Sequence, residues 1–293
     1  MGVKRLSAHL HKQAPHVYRP VLDPQAFRGK HLVVDVSIYM HKFAYLKDAA
    51  DTCGAFIDKF LVQHAALMAE GAGRVTYVFD GPSPVIKRAE QQRRTAARVE
   101  VEARAAAADP GTEAGAQLQR RVAAVIKPWH YATLKAKLAA MDVPYVQAVG
   151  EAEKCMAWMC AAGAADVAVT EDIDAVVCGA PVVLRGVHMS LAGDKVHEVR
   201  LADVLAALEL TYEQLVDFSI LCGCDFSGTL PGIGPVRALA MLKRHGSIEQ
   251  VLAKELKGLE VPAGFLFAEA RAAFQSTETQ LRADSEGGGA EAE

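Results

Sequence analysis

Aromatic residues make up only 6 % of this 293-residue chain, with two Trp among them. No uninterrupted apolar run approaches the roughly 18 to 20 residues that a membrane span needs, so no transmembrane helix is expected. Apolar residues still reach 51 %, because Ala is abundant. The six cysteines (Cys53, Cys155, Cys160, Cys178, Cys222 and Cys224) include no Cys-x-x-Cys pair and no accompanying His spacing. That pattern argues against zinc and for a reduced intracellular setting, with Cys222 and Cys224 as small core residues. Met1-Gly-Val-Lys-Arg-Leu-Ser carries positive charge but no apolar stretch follows it, and Leu6 stands where myristoylation requires Ser or Thr. Neither a secretion signal nor a lipid anchor is expected.

Net charge is also small, at −3, which on its face disfavours a nucleic-acid partner. The distribution reverses that impression. Between Pro82 and Lys137 there are eleven Lys and Arg against five Asp and Glu, a local +6 that leaves −9 elsewhere. Base suits phosphate and acid suits metal, and the chain keeps the two apart.

What the sequence does contain is three apolar runs that each end in an aspartate: His31-Leu-Val-Val-Asp35, Arg74-Val-Thr-Tyr-Val-Phe-Asp80 and Asp166-Val-Ala-Val-Thr-Glu-Asp172. Short β-branched runs bounded by polar residues read as buried strands of a parallel sheet, whose ligands gather beyond the carboxyl ends of the strands. If the third strand stays extended, Asp174 points to the same side as Asp172. Acids converging on one crevice repel one another unless hard, oxygen-bound cations neutralise them.

Along the chain, a helix is expected over about Leu6–Lys12 and another over residues 55–69, with Gly71-Ala-Gly73 as a helix stop before the second strand. Val85 to about Ala108 is rich in Ala, Arg and Glu, and Glu113–Val125 can be helical again after Asp109-Pro-Gly-Thr. Two basic helices inserted into a sheet protein make a candidate arm; a solvated surface hairpin is the equal alternative. Tyr131–Met141 reads as a helix, Pro144-Tyr-Val-Gln as a short strand, and Gly150-Glu-Ala-Glu opens a helix whose first turn carries Glu151 and Glu153. Pro181-Val-Val-Leu-Arg and Val196-His-Glu-Val are expected as antiparallel edge strands, and helices follow from Leu201. The Gly-rich acidic tail has a disordered composition.

Counting acids that close a strand or open a helix gives Asp35, Asp80, Glu151, Glu153, Asp172 and Asp174, and Asp225 in Leu221-Cys-Gly-Cys-Asp-Phe makes a seventh. Oxygen donors without His or Cys partners match Mg²⁺ or Mn²⁺, and two such ions can cleave a phosphodiester without a protein nucleophile. Downstream, Gly232-Ile-Gly234-Pro235 is a tight turn opening a helix, whose amides can face a phosphate, with Lys243 and Arg244 as further contacts. Alone, a Gly-x-Gly turn is more often an ordinary connection.

Val34-Asp-Val-Ser, Phe79-Asp-Gly, Gly150-Glu-Ala-Glu, Thr170-Glu-Asp-Ile-Asp, Leu221-Cys-Gly-Cys-Asp-Phe and Gly232-Ile-Gly-Pro, in that order and spacing, resemble the flap endonuclease branch of the XPG-type structure-specific 5′ nuclease superfamily. The resemblance implies an α/β fold: a mixed, largely parallel central sheet flanked by helices (a PIN-like core), a helical arch, and a C-terminal helix–two-turn–helix module that binds duplex DNA with K⁺. Within one nuclease domain, 1–274, it implies an N-terminal region over 1–81, an arch over 82–137, an internal region over 138–219 and the helix–two-turn–helix module over 220–260, followed by a disordered tail, 275–293. It assigns all seven acids to two Mg²⁺, with Mn²⁺ as a substitute. Lys87 and Arg94 resemble a basic pair at the arch base that contacts the scissile phosphate, and Gly2 a processed N-terminal glycine near the DNA.

There are departures. His41 stands where an aromatic usually stacks on a base, Asp48 and Lys47 stand near an expected arginine, and Gln275-Ser-Thr-Glu-Thr-Gln-Leu lacks the apolar and aromatic ending of a sliding-clamp motif. The implied activity is removal of 5′ flaps in DNA replication and repair by an intracellular monomer, in the nucleus or at viral or cellular replication sites. The rivals are a predominantly 5′-3′ exonuclease, an RNA-degrading relative and a non-catalytic DNA-binding scaffold.

Overall fold

The computed structural model describes residues 3, 5–45, 55–109, 111–123, 125–258 and 260–276; Gly2, Lys47, Asp48, Cys53 and the tail from 277 lie outside them. Seven strands form one sheet: β1 (Arg19–Pro20), β2 (His31–Asp35), β3 (Arg74–Phe79), β4 (Tyr145–Gln147), β5 (Val167–Val169), β6 (Val182–Arg185) and β7 (His197–Arg200). Their order is β1-β7-β6-β5-β2-β3-β4. Strands β2 to β6 pair in parallel, and β7 and β1 are antiparallel. Strands β6 and β7 pair antiparallel as expected, but they are not edge strands: β6 is also parallel to β5, β7 also pairs β1, and among the described residues β1 and β4 lie at the edges. Strand β1 is two residues long, too short to leave a periodic signal.

The helices are α1 (Leu6–Gln13), α2 (Val36–Tyr45), α3 (Asp58–Ala69), α4 (Arg88–Ala107), α5 (Glu113–Ala123), α6 (Pro128–Ala140), α7 (Ala152–Ala161), α8 (Asp174–Val177), α9 (Leu201–Leu208), α10 (Tyr212–Cys222), α11 (Pro235–His245), α12 (Ile248–Lys254) and α13 (Phe267–Gln275). They cover both faces of the sheet. The pleat sends alternate residues to opposite sides. Val33, Val78, Ala168 and Val183 therefore join a core with α1, α7, α8 and α10 to α13, whereas Leu32, Val34, Tyr77 and Val169 join another with α2, α3 and α6. A central strand buried on both faces has no place for polar residues, which is why β2 reads as an unbroken apolar run.

In the basic segment, α4 and α5 pack on each other. Among their described residues neither gives one to the two cores, but α6 buries Leu134 and Leu138 in the second. The insertion expected over 82–137 thus narrows, because the apolar face of α6 makes it part of the body. Beyond α10, buried Asp217 accepts the Ile248 N–H at 3.1 Å and Arg271 Nε at 2.9 Å, fastening α10, α12 and α13 to one another. Arg271 also reaches Glu249 at 2.8 Å. Helix α13 extends to Gln275, inside the stretch expected as a tail.

Candidate active site

Asp35 is the last residue of β2 and Asp80 follows β3. Glu151 precedes α7 as its N-cap and Glu153 lies in the first turn; Asp172 lies in the loop after β5, and Asp174 opens α8. In space β5, β2, β3 and β4 are successive neighbours. The chain leaves β2 for β3 on one side and leaves β5 for β6 on the other, so the switch point at which an open parallel sheet makes a crevice lies between β2 and β5. All seven acids line a single cavity of about 440 Å³, together with Ser37, His41, Lys87, Arg94 and Tyr131.

Close backbone approach sets the alignment. Gly81 donates its N–H to the Gly150 carbonyl at 2.6 Å, and a Cβ at Gly81 would stand 2.2 Å from the Ala148 oxygen. Only glycine lets the end of β3 lie against the loop that carries Glu151. The expected extended geometry at Asp172 and Asp174 gives way to a turn: Asp172 N–H bonds Thr170 Oγ1 and Asp174 N–H bonds Asp172 Oδ1, each at 3.1 Å. Both acids still face the cavity. Further donors hold the carboxylates: Thr170 Oγ1 (3.0 Å) and Ile38 N–H (3.2 Å) on Asp35, Ala152 N–H (2.8 Å) and Ser37 Oγ on Asp80, and Val3 N–H (2.7 Å) on Asp174.

Burial, and then the neighbouring Asp80 carboxylate, push Asp35 up to about 7. Glu153 is raised by the exclusion of water and then by Asp35 and Asp80. Asp174 is raised by burial and then by Asp172, against the opposing effect of the Val3 N–H. These are the marks of a site short of positive charge. Two cations answer some of that need. Lys87, in the turn ahead of α4, bonds Glu151, lies 3.7 Å from Asp225 and rests 4.6 Å over the Phe226 ring. Arg94, on α4, bonds Asp225 and reaches Glu90 at 3.0 Å. Burial alone would lower Lys87, but contact with Glu151 outweighs it and the net shift is upward.

Among the described residues no group of three His, Cys, Asp or Glu is already gathered as a metal shell. The carboxylates turn instead to Lys87, Arg94, hydroxyls and amides. The donor set nevertheless suits hard divalent ions: seven carboxylates with shared excess charge, and no cluster of nitrogen or sulfur ligands. Asp35, Asp80, Glu151, Glu153, Asp172, Asp174 and Asp225 could hold them.

The remaining expectations fare differently. His41 lines the cavity from α2, and the loss of water around its ring shifts its pKa downward, against the opposing effect of Asp80. Gly232 adopts φ +73°, which favours glycine, and Gly234 caps α11 with nothing within 4 Å of where a Cβ would stand. Lys243 and Arg244 lie at the other end of α11, a separation of roughly 15 Å for a helix of this length, and pair with Glu209 (2.8 Å) and Glu255 (2.7 Å). The structure therefore does not bring them to the turn. Arg237, which sequence reasoning passed over, is the cation beside it, 3.5 Å from the Gly232 carbonyl. Ser37, Thr170, Tyr131 and Val3 were passed over as well. Ser37 and Thr170 do stand inside the Val34-Asp-Val-Ser and Thr170-Glu-Asp motifs, which was the available signal.

The XPG N-terminal domain matches residues 1–101 and the XPG I-region residues 142–225. Over 287 residues the chain is 33 % identical to Flap endonuclease 1 of Eremothecium gossypii, covering 94 % of this chain and 75 % of that one. Its fold is similar to the catalytic core of Rad2 in complex with DNA substrate, at a TM-score of 0.71 and 20 % identity over 94 % of this chain and 87 % of that one. It is also similar to the Holliday junction-resolving enzyme GEN1 in complex with product DNA, Mg²⁺ and Mn²⁺ ions, at a TM-score of 0.57 and 18 % identity over 98 % and 64 % of the respective chains. Structural likeness at these identities establishes the PIN-like nuclease fold, and the sequence match establishes the branch: this chain belongs to the flap endonuclease family of XPG nucleases.

Proposed function

We propose that this protein is a structure-specific 5′ flap endonuclease, with 5′-3′ exonuclease action on recessed ends, that hydrolyses DNA in replication and repair. The observation that carries this reading is the meeting of seven carboxylates, in one cavity, with two cations from the root of the basic hairpin. The seven acids would hold two Mg²⁺, or Mn²⁺ in their place, and ions held there would supply water activation and charge neutralisation for phosphodiester hydrolysis. Lys87 and Arg94, which in the free protein neutralise Glu151 and Asp225, are released to the scissile phosphate, where a fixed cation favours the transition state over the ground state.

The hairpin of α4 and α5 serves as the arch around a single-stranded flap. Helices α10 to α12 form the duplex-binding module: the amides around Gly232 and Gly234 face the phosphate backbone, Arg237 stands beside them, and K⁺ completes the contact. Gly234 supports this by the open space over it. The protein acts in the nucleus or at replication sites as a monomer. No helix among the described residues is long and apolar enough to cross a membrane.

A panel of labelled flap, nicked, recessed-end and RNA substrates in Mg²⁺ tests the proposal. Fastest cleavage at the flap junction is expected. Faster trimming of the recessed end makes the protein chiefly an exonuclease, and preference for RNA overturns the substrate assignment.

A further inference from the structure

A second cavity, of about 310 Å³, lies back to back with the acid cavity. Cys178 and Phe274 line both, so these two side chains form part of the wall between them. Helix α7 makes much of the other side, where Ala157 and Ala161 are too small to close the space. Well-packed interiors leave few voids larger than a water molecule, and this volume falls at the low end of ligand pockets. Trp158 gives the lining an aromatic ring that is partly open to solvent. Lys154, one turn earlier on α7, gives it a charge: the residue is only 7 % exposed, and its ammonium donates to Ser276 Oγ just past α13. A cation held against apolar surface is costly to desolvate and favours an occupant of opposite charge.

We infer that this second cavity is a binding site for a small aromatic monocarboxylate, with its carboxylate against Lys154 and its ring against Trp158. The surroundings set the charge. One buried ammonium offsets one negative charge, and a carboxylate accepts the strong, charge-assisted kind of hydrogen bond from it. A second negative charge, as on a phosphate monoester, would go unmatched, because Glu151 and Glu153 open the same helix and the acids lie behind the shared wall. The walls set the shape. An indole pairs with another ring edge-on or offset, and the methyl groups of Ala157 and Ala161 do not compete for that space. The site stands or falls independently of the nuclease chemistry.

The test uses the full chain and 3-phenylpropionate as the probe. Trp129→Phe leaves Trp158 as the one indole. In that variant the probe should change Trp158 fluorescence saturably, with a Kd below about 1 mM, and calorimetry on the parent chain should give the same Kd. The amide 3-phenylpropanamide, of the same shape but without charge, should bind roughly tenfold more weakly or worse, and so should the dianion phenylsuccinate. Lys154→Met, which keeps an apolar stem, should cost the carboxylate about tenfold and the amide little. Lys87→Ala should leave both affinities unchanged. Absence of a saturable signal, or equal affinity of the parent for acid and amide, overturns the inference. So does loss of binding in Lys87→Ala, which would move the probe to the acid cavity. Quenching of Trp158 that grows with protein concentration before any probe is added would give the cavity to a second copy of the chain and overturn it too. The comparison of acid, amide and dianion on the parent needs no substitution, so it decides the matter even if Lys154→Met fails to fold.

Discussion

The cavity floor and the basic hairpin rooted beside it are built in opposite ways. Asp35 and Asp174 are 2 % and 8 % exposed, and each carboxylate is fixed by donors from distant stretches of the chain: Thr170 lies 135 residues from Asp35, and Val3 lies 171 from Asp174. The hairpin relies on neighbours along its own helix. Arg93 and Arg94 pair with Glu90, and Arg98 with Glu102, all three or four residues apart. Such pairs are worth only about 0.3 kcal/mol each. The floor gains positional accuracy from long-range packing. The hairpin takes its helical form from contacts along its own helices and meets the acids at its root. Lys87 and Arg94 are where the two designs meet.

If this division is right, damage to the floor should destroy chemistry and spare binding. Asp174→Ala or Asp80→Ala should lower the single-turnover rate by roughly 10³-fold or more, several kcal/mol of lost charge stabilisation. DNA affinity by anisotropy should hold or rise, because cations supply it and an opposing charge has gone. Near-parental turnover in Mg²⁺ would break the comparison at its root.

At the junction the effect should be smaller. Lys87→Ala and Arg94→Ala should each slow the bound reaction by about 10²-fold and weaken affinity only slightly. Equal losses in rate and affinity would mean that they belong to the hairpin's binding surface rather than to the chemistry.

Metal removal sharpens the contrast through pH. Asp35, at about 7, is protonated more readily in the folded state than an unfolded Asp near 4. Its stabilising contribution is therefore full below the unfolded value and lost as pH rises through about 7. Glu153 and Asp174 shift in the same direction. In EDTA the melting temperature should fall on this account between pH 5 and 8, and Mg²⁺ should raise it more at pH 8 than at pH 6. An equal Mg²⁺ shift at both pH values would disconnect the buried acids from metal.

The smallest effects belong far from the floor. Gly234→Val should weaken duplex binding several-fold without changing the metal requirement, since a side chain there blocks close approach. Lys243→Ala and Arg244→Ala should change it little, their charges being already paired. Parent-like affinity for Gly234→Val in a folded protein would remove the turn from the DNA interface.

Much of the floor was legible because its signals are local: an apolar run that stops at an aspartate announces both a buried strand and the group at its end. Lys87 and Arg94 were named through the family resemblance, and the structure sets them in the cavity beside Glu151 and Asp225. What stayed hidden depends on the third dimension. β6 reads like an edge strand, because nothing in Val182–Arg185 reveals that β5 covers one side of it and β7 the other. Lys243 looks like a free cation until Glu209, 34 residues earlier, folds against it. The turn from Asp172 into α8 follows from the Thr170 hydroxyl, a short-range cue that the apolar pattern overshadows. Tyr131 sits in an ordinary helical pattern, and only the fold carries it to the cavity of acids.

The assembly of the cavity also bears on the order of events when the chain folds. Lys87 meets a partner 64 residues away and Arg94 one 131 residues away. Contacts this distant close large loops and form late, whereas helices such as α4 form from neighbours. During refolding from denaturant, helical circular dichroism should therefore recover well before nuclease activity. The interval measures how long the sheet and the C-terminal helices take to bring Asp225 to Asp35, so catalysis in this protein serves as a clock for completed folding.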